Sequence, residues 1–230
     1  VDFQGATAVY RYGAPVDLRS GVDALRLTLD QRDLPLDALV AEAVPARDEV
    51  AYLVADTKNP LEDVILPGPA TLYNDGAMVG RIELDLTAAG DEMHLGFGAI
   101  DGIVLDRRTP DRESAEGGLI RRSASVTEQA VLEAKNLTGR DYTLRMIDQV
   151  PVSHQKEVVV DWSASTDPTE ENPDGKLGVL VWESDLKAGE TQEITLETEI
   201  RWPEGYVLNE DRQPGINPEM AAGNPSGFIR

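Results

Sequence analysis

Glu193-Ile194-Thr195-Leu196-Glu197-Thr198-Glu199-Ile200-Arg201-Trp202 is the stretch that decides the class of fold. Ile194, Leu196, Thr198 and Ile200 fall at every second position, with Glu193, Thr195, Glu197 and Glu199 between them. A period of two puts one set of side chains on a core face and the other in water, the pattern of a half-buried β-strand. Gly189-Glu190 supplies a turn before the run and Pro203 stops it.

Working outward, the same signature recurs. Short runs rich in Val, Ile, Leu, Thr and Tyr are expected as strands over 6–12, 24–29, 39–44, 50–56, 70–73, 78–86, 93–97 and 103–107. Leu25, Leu27 and Leu29 share one face of their run, as do Ile82, Leu84 and Leu86 of theirs. Asn74-Asp75-Gly76 is a hairpin signal, because these residues tolerate positive φ. Residues 109–118 are polar and turn-rich and read as a long hairpin tip or an interdomain link. The second half offers strands over 126–135, 142–147, 157–162, 178–183 and 193–202. Residues 126–135 contain good helix formers, but Asn136-Leu137-Thr138-Gly139 reads as a hairpin tip leading into the next run, which favours a strand. No repeat of fixed period is visible. The expectation is an all-β chain of two packed sandwich-like halves, residues 1–118 and 119–203. Turn signals every ~8–12 residues make the second half immunoglobulin-like, and a Pro/Gly-rich tail follows at 204–230. Neither half readily buries both faces of its strands alone, so the two should share contacts.

Composition narrows the function. The chain has 42 acidic against 21 basic residues, a net charge of -21. Such a body repels phosphate backbones and anionic lipid, which disfavours nucleic acid and membrane surfaces as partners. No apolar run approaches the ~18 residues of a spanning helix. Absence of cysteine rules out disulfides, thiolate catalysis and cysteine metal sites. A chain starting at Val1 reads as a piece of a longer protein.

Chemistry-bearing residues are few and scattered. His94 and His154 each stand alone in sequence, and an isolated histidine in a β protein is usually surface or packing. Ser153 beside His154 is no nucleophile–base pair, since neighbours on a strand point to opposite faces. The acidic loop with Asp167, Glu170, Glu171, Asn172 and Asp174 offers oxygen ligands for calcium without an ordered ligand spacing. It reads as a solvated turn. Gly96-Phe97-Gly98 lacks the helix N-terminus of a phosphate loop. Trp162, Trp182 and Trp202 fall in strand runs and are expected in the core rather than on a sugar-stacking surface. In Asp148-Gln149-Val150-Pro151-Val152-Ser153, proline cannot donate to a central ladder. The block therefore reads as a corner where the chain leaves its sheet, tied by Asp148 and Gln149. No catalytic, cofactor-binding or metal-binding residue is assigned.

Several of these motifs together resemble a known family. They are Leu66-Pro67-Gly68-Pro69, Asp75-Gly76 with Gly80, Gly90-Asp91, and Phe97-Gly98 with Asp101 and Arg107, followed by the block from Asp148 to Ser153. The last is Gly178, Trp182 and Leu186-Lys187-Ala188-Gly189-Glu190, ending at Pro203. Their order is similar to that in the C-terminal domain of mucoidy-inhibitor-like proteins, a domain of unknown function, from about Tyr10 to Pro203. Asp91 stands where the family usually has Glu. The resemblance implies a longer parent with a signal peptide and a coiled coil, and a periplasmic or secreted place in a bacterial envelope. It also implies self-association through the coiled-coil part, and it brings no catalytic residues. A non-enzymatic binding or scaffold module is therefore expected, with a protein or an envelope polysaccharide as partner and no cofactor. The alternative is a carbohydrate-active or hydrolytic domain using acidic residues with calcium.

Overall fold

The computed structural model describes residues 2–4, 7–9, 12–17, 20–21, 24–25, 27–28, 36–74, 76–115 and 123–203. These residues form strands and turns, with one short 3-10 turn at Pro173–Gly175. The strands are β1 (Asp2–Gln4), β2 (Thr7–Val9), β3 (Leu36–Ala43), β4 (Val50–Lys58), β5 (Gly68–Asn74), β6 (Ala77–Leu84) and β7 (Glu92–Ala115). Then come β8 (Ser123–Asn136), β9 (Tyr142–Gln149), β10 (Val159–Ala164), β11 (Glu170–Glu171), β12 (Val179–Leu186) and β13 (Thr191–Pro203).

Nine of them make one sheet in the order β10-β13-β8-β7-β4-β3-β9-β12-β11. Every pairing is antiparallel except β3 with β9, which run parallel over only Ala41↔Leu144, Glu42↔Arg145 and Ala43↔Met146. The sheet curls on itself. Leu132 of β8 and Ile194 and Leu196 of β13 share one buried cluster with Leu144 and Met146 of β9 and Leu180 and Trp182 of β12. Burying each of these large side chains is worth about 1.5–3 kcal/mol. The decisive stretch behaves as its alternation requires: Ile194 and Leu196 face this core, and Glu193 and Glu197 face water. The all-β, sandwich-like expectation holds, and both halves feed the same core and sheet. The proposed boundary at 118/119 lies outside the described residues, between β7 and β8, which pair with each other.

β5 and β6 form a separate two-stranded ribbon, as Asn74-Asp75-Gly76 suggests. Its Ile82 and Leu84 pack on Ala55, Met93 and Leu95 of β4 and β7. Among the described residues β1 and β2 pair with each other alone.

Four expectations need correction. Residues 93–97 and 103–107 belong to one long strand, β7, which continues through 109–115 instead of turning there. Pro110 is tolerated because the ladder slips its register between Arg108 and Asp111. Gly102, at φ +100 with its carbonyl accepting from Leu137 N–H at 2.7 Å, lets the strand bend without ending. The tip at 136–139 is not a hairpin: β8 pairs with β7 and β13, while β9 pairs with β12 and β3, so the chain arches across the core. Ala24, Leu25, Leu27 and Thr28 lie in no strand, and Leu25 and Leu27 are exposed. Leu86 lies past the end of β6 and is also exposed, because the alternation of Ile82 and Leu84 stops with the ribbon. The tail at 204–230 and parts of the runs at 6–12 and 24–29 lie outside the described residues.

One hydrogen-bonded knot occurs twice. At the end of β4, Asn59 Nδ2 donates to the carbonyls of Asp63, Thr87 and Ala88, and its Oδ1 accepts from Leu61 N–H. At the end of β8, Asn136 Nδ2 donates to the carbonyls of Arg140, Leu186 and Lys187, and its Oδ1 accepts from Thr138 N–H. The backbones match too. Asn59 N–H donates to Asp91 and its carbonyl accepts from Gly90; Asn136 N–H donates to Glu190 and its carbonyl accepts from Gly189. Each asparagine is nearly fully buried and saturates carbonyls that would otherwise be buried without a donor.

Candidate functional site

The sheet's outer face carries a cluster of charged side chains drawn from five successive strands. His94 on β7 stands opposite Asp56 on β4, and its Nδ1 lies 2.6 Å from Asp56 Oδ1. Asp56 Oδ2 accepts from Arg145 Nη1 at 2.8 Å. Arg145, on β9, donates through Nε to Glu183 of β12 at 2.8 Å. Glu42 on β3 sits between, 3.8 Å from His94 Nε2 and 3.9 Å from Arg145 Nη1. To join β9 to β4 the Arg145–Asp56 pair must pass over β3. Val40 and Val54, opposite each other on that face, are both buried.

The cluster sets its own protonation. The hydrogen bond that His94 donates to Asp56, helped by Glu42, holds His94 above the usual histidine value, against burial and the Arg145 charge. The same hydrogen bond, then Arg145, holds Asp56 below the usual carboxylate range despite partial burial. The isolated histidine of the sequence thus has partners on two neighbouring strands, which no local motif signals.

A second constellation lies inside. Asp148, on the inward face of β9, is 2% exposed. Its Oδ2 accepts from Arg107 Nε of β7 at 3.0 Å, and Oδ1 accepts from Gln149 N–H at 2.8 Å. Burial pushes the Asp148 carboxyl up, and the opposing pull of Arg107 and Gln149 N–H is the weaker influence. The corner itself follows. Pro151 lies just past the end of β9 in no strand, Val150 N–H donates to the Gly178 carbonyl at 2.8 Å, and Gln149 Nε2 reaches the Leu177 carbonyl at 3.4 Å. Gly178, at φ +80, passes so close that a Cβ there would meet Val150 O at 2.4 Å. Only glycine fits. The block from Asp148 to Ser153 is thus a structural corner, as its proline implies.

These residues gather the motifs that run through the chain: Arg107 meets Asp148, Val150 meets Gly178, and Leu186 to Glu190 close the Asn136 knot. The chain belongs to the family described as Domain of unknown function (DUF4139). The family model matches residues 2–204. A curated relative, "Protein F37C4.5" of Caenorhabditis elegans, is 21% identical over 152 residues, which is 66% of this chain and 27% of that protein. The chain therefore spans about a quarter of that relative's length. No solved structure matches it significantly. Within this DUF4139 domain these motifs are joints: turns, a corner and a buried ion pair.

The other residues singled out by sequence are placed as follows. Trp182 is fully buried and donates to the Thr166 carbonyl at 2.9 Å; Trp162 packs half-buried against the same core, and Trp202 is half-buried. His154 is exposed, and Ser153 Oγ closes a local turn with Gln155, donating to its carbonyl and accepting from its N–H. In the acidic loop, Glu170 and Glu171 form β11 against β12, and Asp174 pairs with Lys176 at 3.4 Å. The phosphate-loop candidate Gly96-Phe97-Gly98 runs within β7.

Proposed function

We propose that the domain is a non-enzymatic binding or scaffold module of a larger envelope or secreted protein of the mucoidy-inhibitor-like kind. An immunoglobulin-like second half would serve as its rigid frame. The β5–β6 ribbon carries this reading. One face of it packs on β4 and β7, and the other presents Tyr73 and Met78, paired across the strands and 60% and 53% exposed. Val79 beside them is also exposed. An apolar tip on a body of net charge -21 is a place where a protein partner gains contact area without meeting the acidic surface. Support also comes from His94, whose carboxylate contacts among the described residues are those of the strand-joining cluster, with Arg145 holding the second oxygen of Asp56.

The test is site-specific photo-crosslinking from position 73 in the full-length parent, within its own cells. One discrete protein adduct is expected, lost when Met78→Ser removes the neighbouring contact. No adduct from position 73, together with polysaccharide hydrolysis by the purified parent, would replace the reading with the carbohydrate-active one.

A further inference from the structure

The geometry points to a pH-responsive clasp at the β3–β9 seam, one of the two places where the halves meet, with His94 as its latch: it is closed when His94 is protonated and loosens as the imidazole loses its proton. The seam is where β3 meets β9, and apart from the two-residue edge strand β11 it has the fewest paired residues of any joint in the large sheet. Three residue pairs hold it in parallel register, whereas β8 and β13 pair over their whole shared length. Side chains reinforce it from outside. Arg145, on the β9 side, reaches across β3 to Asp56 and Glu42, and anchors back to Glu183 on β12.

The charges facing His94 can be followed strand by strand. From β4 come Asp56 and, two residues on, Lys58, which pairs with Glu92 of β7 at 4.0 Å. From β3 comes Glu42; from β9 comes Arg145, with Glu183 of β12 behind it. The β5–β6 ribbon lies on the opposite face, against Met93 and Leu95. Around the seam, three carboxylates thus face the single guanidinium of Arg145. A protonated His94 supplies the second cation, bonding Asp56 and drawing Glu42 toward β7. A neutral His94 leaves Glu42 with Arg145 alone, at 3.9 Å.

The direction is fixed by linkage. His94 is held above its unfolded value, so its stabilising contribution is complete below that value and is lost as pH rises through the folded one. Asp56 is held below its unfolded value, so its share is present above that value and fades only as strong acid protonates it. The clasp is tightest in mildly acidic solution and slackens on the alkaline side.

Hydrogen exchange on the whole chain tests this. The ratio of exchange rates of His94→Gln to wild type, at matched pH, is read for amides of residues 41–43 and 144–146 and, as reference, for Leu132 and Ile194 in the second-half core. At about pH 5.5 the seam amides should exchange about threefold faster in the variant, a size set by partly exposed ion pairs. At about pH 9 the ratio should return towards one, because the contribution of the imidazolium is lost as pH rises through its folded value. The core ratio should stay at one throughout. A second variant, Glu42→Gln, removes a carboxylate that favours the imidazolium, so the pH at which wild-type seam protection declines should move down. A seam ratio independent of pH, an equal change at Leu132 and Ile194, or an unmoved midpoint in Glu42→Gln would each overturn the proposal.

Discussion

The Asn59 and Asn136 knots make the same bonds in different surroundings. Asn136 closes the arch between β8 and β9 directly under the main core, and Thr138 Oγ1 adds a further hydrogen bond to its Oδ1 at 2.7 Å. Asn59 closes the path from β4 toward the ribbon beside a small cluster of Ala55, Met93 and Leu95. The likeness extends to the next strands. The position on β4 occupied by Asp56 corresponds to Glu133 on β8, and His94 on β7 to Glu193 on β13, each pair opposed in register. In the first half the pair is joined by an imidazole; in the second, Arg108 Nη2 bridges Glu133 at 3.0 Å and Glu193 at 3.4 Å. Two similar frames therefore carry one joint whose imidazole is held above the usual histidine value and one without an imidazole. The ribbon after the first knot stays two-stranded, whereas β9 and β12 after the second are built into the large sheet. The same local device serves an exposed arm in one place and a packed layer in the other.

The largest expected effect separates the two knots. Asn136→Ala strips the donor from three carbonyls at the edge of the main core, a loss of about 3–4 kcal/mol. Asn59→Ala makes the same chemical change beside the smaller cluster, where water reaches the freed carbonyls more easily, and should cost about half as much. Urea denaturation of the two variants measures the difference through the midpoint at constant m-value. Equal losses would mean that the surroundings of the knot do not matter.

The second test addresses the ion pair that ties β7 to β9. Arg107→Met leaves Asp148 buried without its cation and should cost about 2–3 kcal/mol at neutral pH, toward the low end for a buried pair because Arg107 is partly exposed. Arg107 is one of the influences that lower the Asp148 value, so its loss raises the folded value further above the unfolded one. The sign follows: stability is retained below the unfolded value and lost as pH rises through the folded value, so the variant's deficit should shrink on acidification. Adding Asp148→Leu should restore much of the loss, since an apolar pair of similar volume replaces the ions. Thermal unfolding at several pH values reads both outcomes, and a double variant worse than Arg107→Met alone would show that the pair contributes net stability.

Much of this architecture is legible in the residues, and the exceptions have physical reasons. Alternation over residues 193–202 identifies β13 and the face it buries, because burial on one face leaves a period of two in sequence. Pro151 identifies the corner, because a missing N–H has only a few places to go. The length of β7 is hidden by Gly98, Gly102 and Pro110, which read as breaks; the ladder absorbs them through irregularities and positive φ. The arch at Asn136 is hidden because an asparagine before Leu-Thr-Gly looks like a local turn. Its side-chain amide instead binds carbonyls some fifty residues onward, at Leu186 and Lys187. The repeated knot escapes notice for a related reason. Its two halves match in hydrogen bonds and lie at different separations along the chain, so no fixed period exists. His94 is opaque for the same cause: its partners come from β4 and β3, and only strand order brings Arg145 and Glu183 alongside.

The smallest expected effect concerns the second half's counterpart of the His94 pair. Arg108 bridges Glu133 and Glu193 and also lies 3.0 Å from Asp106, with about half of its side chain in water. Exposed ion pairs contribute only about 0.2–1 kcal/mol, and salt screens them. Arg108→Gln should therefore lower stability by about 0.5 kcal/mol at low ionic strength, and the difference from wild type should vanish in about 1 M salt. With no imidazole in this bridge, the loss should be the same at about pH 6 as at about pH 8. At the matching position of the first half, the His94→Gln deficit should diminish over that same interval. Calorimetric melting of both variants across the two pH values makes the comparison direct. If the Arg108→Gln deficit changed with pH as much as that of His94→Gln, the titrating joint could not be assigned to the imidazole, and the distinction between the two halves would fall with it.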